Sequence, residues 1–285
     1  MARYSRLCLV PAVFLLSLGP CLSSSAAAAQ SPPEAFHRPL DQILDVNVRD
    51  GLVYYRALGG SRGRLDRYVA SLNVPVATYQ SWGREDQMAF WVNAYNAFVM
   101  QTVVNHYPIK GGSAAFPAMS LRQIPGAFDK IPHRAAGRTV TLDAIEKTIL
   151  PEFKQPRLYL ALGRGAVGSG RLRSEAYSGA RLMQQLDEIQ TEFVSEQTML
   201  RIDRVAGQVW LTPILSWREA DFIAAYDTGA TGPFAQRSPI ERAALAFIFS
   251  HLLPLEKELL QKNEFKVSFQ PFDWRLNDLT GGRPE

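Results

Sequence analysis

The run Gly163-Arg164-Gly165-Ala166-Val167-Gly168-Ser169-Gly170-Arg171 is the most glycine-rich stretch of the chain, and it gathers side chains that could do chemistry. Glycines let backbone N–H groups converge, and Arg164, Arg171 and Arg173 would supply guanidinium forks, a combination suited to an anion. The same residues also fit a flexible surface loop with solvated arginines. Ser169 could act as a nucleophile if Lys147, desolvated enough to be neutral, took its proton, although nothing in the spacing brings the two together. Glu146, Asp221 and Asp273 could do acid–base work, or could simply cap helices or pair with arginines. Gly163 to Gly168 also satisfies the Gly-x-Gly-x-x-Gly pattern of dinucleotide sites. That motif should open a helix at once, whereas Ser169 to Tyr177 prolongs the loop, and Asp187 and Glu188 fall inside the next helix. No nucleotide or other cofactor is therefore expected. His133, alone in a proline-rich stretch with no second ligand at a metal spacing, reads as an exposed loop residue, so no metal site is expected either.

Two elements must position these groups. Arg157 to Leu162 is an apolar run expected as a strand, which would deliver the glycine loop at its C-terminal end. Asp86 to Tyr107 is expected as a long helix, with Ser81 as N-cap and Pro108 as stop, apolar on most faces and therefore buried. On it Asn93 and Asn96 lie three apart on one face, so their amides either tie down neighbouring loop backbone or line a polar pocket. The loop is expected to rim a cleft walled by Trp91 or by an aromatic of Phe272 to Trp274. Trp82, Trp91, Trp210, Trp217 and Trp274 are scattered over different elements and read as core and pocket wall.

Further helices are expected near Phe36 to Leu44, Arg64 to Leu72, Leu142 to Ile149 with Thr141 as cap, Leu182 to Phe193, Trp217 to Tyr226, and from the capping box Ser238-Pro239-Ile240-Glu241 through Leu252. Short strands are expected at Leu52 to Tyr55 and Phe265 to Phe269, with a hairpin joining Leu200 to Asp203 and Gln208 to Thr212. Helices dominate and strands do not alternate strictly with them. The fold class is accordingly α+β: a helix-rich single globular domain with short mixed strands around a long central buried helix.

The run Ala89-Phe90-Trp91-Val92-Asn93-Ala94-Tyr95-Asn96-Ala97 resembles the hallmark of the DUF547 family. The likeness continues through Val48 to Tyr55, Leu142 to Glu146, Leu215 to Phe222 and Phe272 to Asn277, and so spans about 36–277. Relatives commonly carry a Ser-Cys-Pro step where this chain has Ser169, and a histidine after the Ile-Glu pair where it has Lys147. Any thiol chemistry implied by the resemblance is thereby put in doubt here.

Residues 1–29 read as a secretory leader: Arg3 and Arg6, an apolar centre from Leu7 to Leu18, and Ala27-Ala28-Ala29 before a new N-terminus at Gln30. The apolar centre is too short to span a membrane. Both cysteines, Cys8 and Cys21, lie within the leader, which excludes disulfides and thiol chemistry from the mature chain 30–285. The leader also removes two of the 31 basic residues, set against 27 acidic ones, so the sequence pI of about 9.1 is a weak argument for nucleic-acid binding, and none is expected. The expected protein is secreted or periplasmic and binds a small or anionic ligand, or a protein partner. A hydrolase or acyl-transfer enzyme using Ser169, or a structural domain without a site, are the alternatives.

Overall fold

The long helix expected from the sequence is the axis around which the described chain packs. The computed structural model describes Met1 and residues 33–281, and the expected leader falls almost wholly outside them. In chain order come α1 (Pro33–Asn47), β1 (Val48–Arg49), β2 (Leu52–Val53), α2 (Tyr55–Gly60), α3 (Gly63–Ser71), α4 (Val76–Gln80) and α5 (Arg84–His106). They are followed by β3 (His133–Ala135), β4 (Arg138–Val140), α6 (Leu142–Ala144), α7 (Leu182–Ser195), β5 (Leu200–Asp203) and β6 (Gln208–Leu211). The chain closes with α8 (Ile214–Trp217), α9 (Glu219–Tyr226), α10 (Pro239–Phe249), α11 (Pro254–Lys262) and β7 (Lys266–Phe269). The architecture is α+β, with helices predominating over short mixed strands.

Every residue of α5 from Met88 to Met100 is buried. A helix so apolar on all sides must be surrounded, and α1, α2, α3 and α7 pack against it. Its N-cap is Gly83 rather than Ser81, which instead ends α4, while Glu85 and Asp86 in the first turn complement the helix dipole. Two capping expectations hold: Thr141 Oγ1 accepts from the Ala144 N–H at 3.1 Å, and the Glu241 carboxylate accepts from the Ser238 N–H at 3.1 Å. Beyond α6 the helix widens into a π turn over Ile145–Ile149, which carries Glu146.

The expected hairpin is present: β5 pairs antiparallel with β6, and β7 adds to β6 in parallel. Two other expectations are corrected, and one further hairpin is present. The apolar run before the glycine loop is a 3-10 helix over Pro156–Leu160, not a strand. The carbonyls that a sheet neighbour would have taken are satisfied by side chains, Tyr159 and Leu162 by Arg164 and Ala161 by Asn96. Residues 133–140 form a hairpin, β3 with β4, turning at Ala136 (φ 50°) and Gly137 (φ 69°). Positive φ at both turn positions suits strand twist, but Ala-Gly lacks the usual asparagine signal. His133, expected on the surface, is buried with its ring stacked on Phe98 at 4.3 Å, and burial pulls its pKa down to about 4.

Candidate functional site

The glycine loop packs as an internal joint, and as expected it also reaches cavities: Gly168 lines one with Phe272, Arg164 one with Trp274, and Ser169, Gly170 and Arg171 a third. A Cβ on Gly170 would collide with the Leu160 carbonyl, and one on Gly168 would stand 2.6 Å from the Asp273 nitrogen. Three of the loop's amides are taken by other elements: Gly163 donates to Asn96 Oδ1 at 2.8 Å, Val167 to the Arg275 carbonyl at 2.9 Å and Gly168 to the Asp273 carbonyl at 2.8 Å. Asn96 returns a bond to the Ala161 carbonyl at 3.0 Å, while Asn93 holds both the N–H and the carbonyl of Tyr177, at 2.9 and 2.8 Å. Both asparagines therefore clamp passing backbone, and their amides do not line a pocket. Trp91, expected as a cleft wall, is fully buried and donates its indole N–H to the Tyr79 hydroxyl at 2.7 Å.

The three loop arginines diverge, and each meets carboxylates from another element. Arg171 bonds Asp50 in the β1–β2 turn at 2.8 Å, and Arg173 is met by Glu175, Glu188 and Glu192. Arg164 is buried and grips Glu146 through two nitrogens, at 2.6 and 3.2 Å, while also donating to the Tyr159 and Leu162 carbonyls. Burial alone would raise the Glu146 pKa, but the Arg164 charge and hydrogen bonds outweigh it and hold the carboxyl below its ordinary value. Tyr95 of α5 adds its hydroxyl to Glu146 at 3.3 Å.

The serine–lysine pair is not formed. Ser169 Oγ is buried without a hydrogen-bond partner, and Lys147 Nζ is committed to Asp143 at 2.6 Å. They line different cavities, and although Asp50 and Glu196 line the one that Ser169 lines, no base stands within hydrogen-bond reach of its Oγ.

What the fold does assemble is a cleft of about 320 Å³ in front of the Arg164–Glu146 pair, lined also by Arg122, Phe128, Asp143, Lys147, Trp217, Arg218 and Trp274. Arg122 sits on a 3-10 turn over Leu121–Gln123 capped by Ser120, whose Oγ accepts from the Arg122 N–H at 3.2 Å. Its guanidinium lies 4.2 Å from the Trp274 ring centroid and 4.4 Å from that of Phe128. Trp217 is 44 % exposed, stacks on Trp274 at 6.0 Å with planes 15° apart, and touches Phe272 at 4.9 Å. Arg218 bonds Asp221 at 2.6 Å and the Tyr159 hydroxyl at 3.0 Å, leaving its Nε buried and unpartnered. Asp273, expected in the site, is turned to Arg275, whose hydrogen bonds depress its pKa, and it lines the neighbouring cavity instead.

Arg164, Lys147 and Arg218 are thus matched by Glu146, Asp143 and Asp221, whereas none of the described ion pairs includes Arg122. The cleft carries surplus positive charge beside two indoles. Among the described residues no cluster of His, Cys, Asp and Glu could hold a metal ion. Of the cleft residues, sequence reasoning reached Trp274, Glu146, Lys147 and Arg164 but not Arg122, Phe128 or Arg218. The adjacency of Trp217-Arg218 in one motif block and Trp274 in another was the available signal; for Arg122 there was none.

No curated protein and no solved structure matches the chain. Residues 79–194 match a family described as "Protein of unknown function, DUF547", a span that holds α5, Arg122, Glu146 and the glycine loop and stops short of Trp217, Arg218 and Trp274. Over that span, somewhat less than half of its length, the chain is similar to the DUF547 family.

Proposed function

We propose that this is an exported protein that binds a small anionic ligand with a flat or apolar face in the cleft between Arg122, Trp217 and Trp274. The observation that carries the reading is Arg122, a guanidinium without a carboxylate partner laid on Trp274 and Phe128. Aromatic faces cover its flat sides and leave the N–H edge for a carboxylate or phosphate, the geometry in which arginine binds most strongly. The exposed face of Trp217 offers a stacking surface beside it. Three of the family-like sequence blocks supply this cleft, through Glu146, Trp217-Arg218 and Trp274. Export is supported by the leader pattern alone and is checked by mass spectrometry of the exported protein, expected to begin at Gln30.

The binding reading is tested by thermal-shift screening of the purified protein with panels of carboxylates, phosphates and neutral isosteres. A ligand at a hundredfold excess over its Kd should stabilise the fold by about 2.7 kcal/mol. Anions should dominate the hits, and Arg122→Ala should lose them. Hits confined to neutral compounds, or anion shifts undiminished in Arg122→Ala, would reject the reading.

A further inference from the structure

Beside the cleft lies a second cavity of about 400 Å³, and its chemistry repeats that of the first. Arg201 on β5 and Trp210 on β6 face each other across the ladder, and the guanidinium stands 3.8 Å from the indole centroid. Like Arg122, exposed Arg201 belongs to none of the described ion pairs. The two arginine-on-tryptophan platforms are joined by Phe272, which lines the second cavity and touches Trp217 and Trp274 of the first at 4.9 and 4.4 Å. The one carboxylate at the junction, Asp273, is held by Arg275. Around the second platform stand neutral polar groups: the exposed Thr198 hydroxyl, and Gln270, whose Nε2 donates to the carbonyls of Gln197 and Thr198, both at 3.1 Å, leaving Oε1 free to accept.

We infer that the two cavities form one elongated site for an acidic oligosaccharide, one carboxylate on Arg122, a later one on Arg201, and sugar rings lying on the Phe272–Trp217 surface between them. The inference rests on the reading of the cleft given above and adds the length and class of its ligand. A pyranose ring presents an apolar C–H face to an aromatic ring and hydroxyls at its rim, which matches indoles flanked by an amide and a hydroxyl. A nucleic acid would call for a longer track of cations along the groove than two arginines provide. Two anchors on one chain turn the second contact into an intramolecular event, so affinity should climb with ligand length until both platforms are reached.

The test is calorimetric titration of the purified protein with galacturonate as monomer, trimer and hexamer. The hexamer should bind about a hundredfold more tightly than the monomer. Arg201→Ala should erase that gain and reduce the monomer to the one site at Arg122, whereas Arg122→Ala should weaken every length. Arg201→Gln serves as a second variant, and unchanged circular dichroism of each confirms folding. Affinity independent of length, with Arg201→Ala silent, would overturn the elongated site while leaving the cleft reading intact if Arg122→Ala still weakens the monomer. A neutral hexasaccharide binding as tightly as the acidic one would overturn the role of the two arginines. A length gain seen with oligoglutamate but not with galacturonate would overturn the saccharide assignment, as would no galacturonate binding at all.

Discussion

The glycine loop and the aromatic cleft both carry arginines, but their arginines do opposite work. In the loop, Arg164, Arg171 and Arg173 each find carboxylates on another element, and Arg164 is sealed in the core with Glu146. In the cleft and its neighbour, Arg122 and Arg201 find indoles instead. A buried guanidinium must be paired because its desolvation is otherwise prohibitive. A guanidinium on an indole stays partly hydrated, keeps its charge and remains available to a ligand. The type of neighbour separates a structural arginine from a recognition arginine, and neighbours are brought in by the fold.

The contrast is broken most directly at Arg164. Arg164→Ala should cost about 3–5 kcal/mol in chemical unfolding by leaving Glu146 buried and unpaired. The sign of its pH dependence follows from the carboxylate. In the wild type the depressed Glu146 pKa stabilises the fold above the ordinary carboxylate range and is lost as pH falls through it. In the variant the unpaired carboxylate is a penalty that protonation relieves, so the gap between the two proteins should narrow at acid pH. A variant as stable as wild type would place Arg164 with the recognition arginines.

Next in size is His133. With a folded pKa of about 4 against an ordinary 6.5, the unfolded chain binds the proton first, so stability is full above pH 6.5 and falls as pH drops towards 4. The loss should reach about 3 kcal/mol at the lower end, and His133→Phe, which can keep the stack on Phe98, should lack that component. Parallel unfolding curves of the two proteins between these pH values would show that His133 is hydrated after all.

Asn93→Ala orphans the N–H and carbonyl of Tyr177 and should cost about 1–3 kcal/mol, read as a lowered denaturation midpoint. The smallest effects on stability should come from the exposed arginines: Arg122→Ala and Arg171→Ala should each move it by no more than about 0.5–1 kcal/mol. They separate in binding. Arg122→Ala should weaken an anionic ligand by about tenfold or more, equal to at least about 1.4 kcal/mol, and Arg171→Ala should leave it unchanged. Equal losses from both would bring Arg171 into the site.

Much of the fold was legible because it depends on local pattern. The apolar cylinder of α5, the Thr141 cap, the capping box at Ser238 and the β5–β6 hairpin follow from spacing and turn chemistry within a few residues. The 3-10 helix at Pro156–Leu160 was not legible, since a short apolar run fits strand and buried helix alike and its carbonyl partners come from Asn96 and Arg164. Part of the candidate site was visible too, through Glu146 and Trp274 in their motif blocks.

The sequence by itself determined the helix-rich class, the buried central helix with its paired asparagines, and the family likeness, because periodicity and motif are properties of neighbours along the chain. Only the tertiary structure decided that the glycines serve close backbone approach to Leu160 and Asp273, that Ser169 and Lys147 never meet, and that Arg122 comes to rest on Trp274. The reason is physical: the state of a charge is set by desolvation and by partners a few ångströms away, and here those partners lie far off in sequence, on other elements.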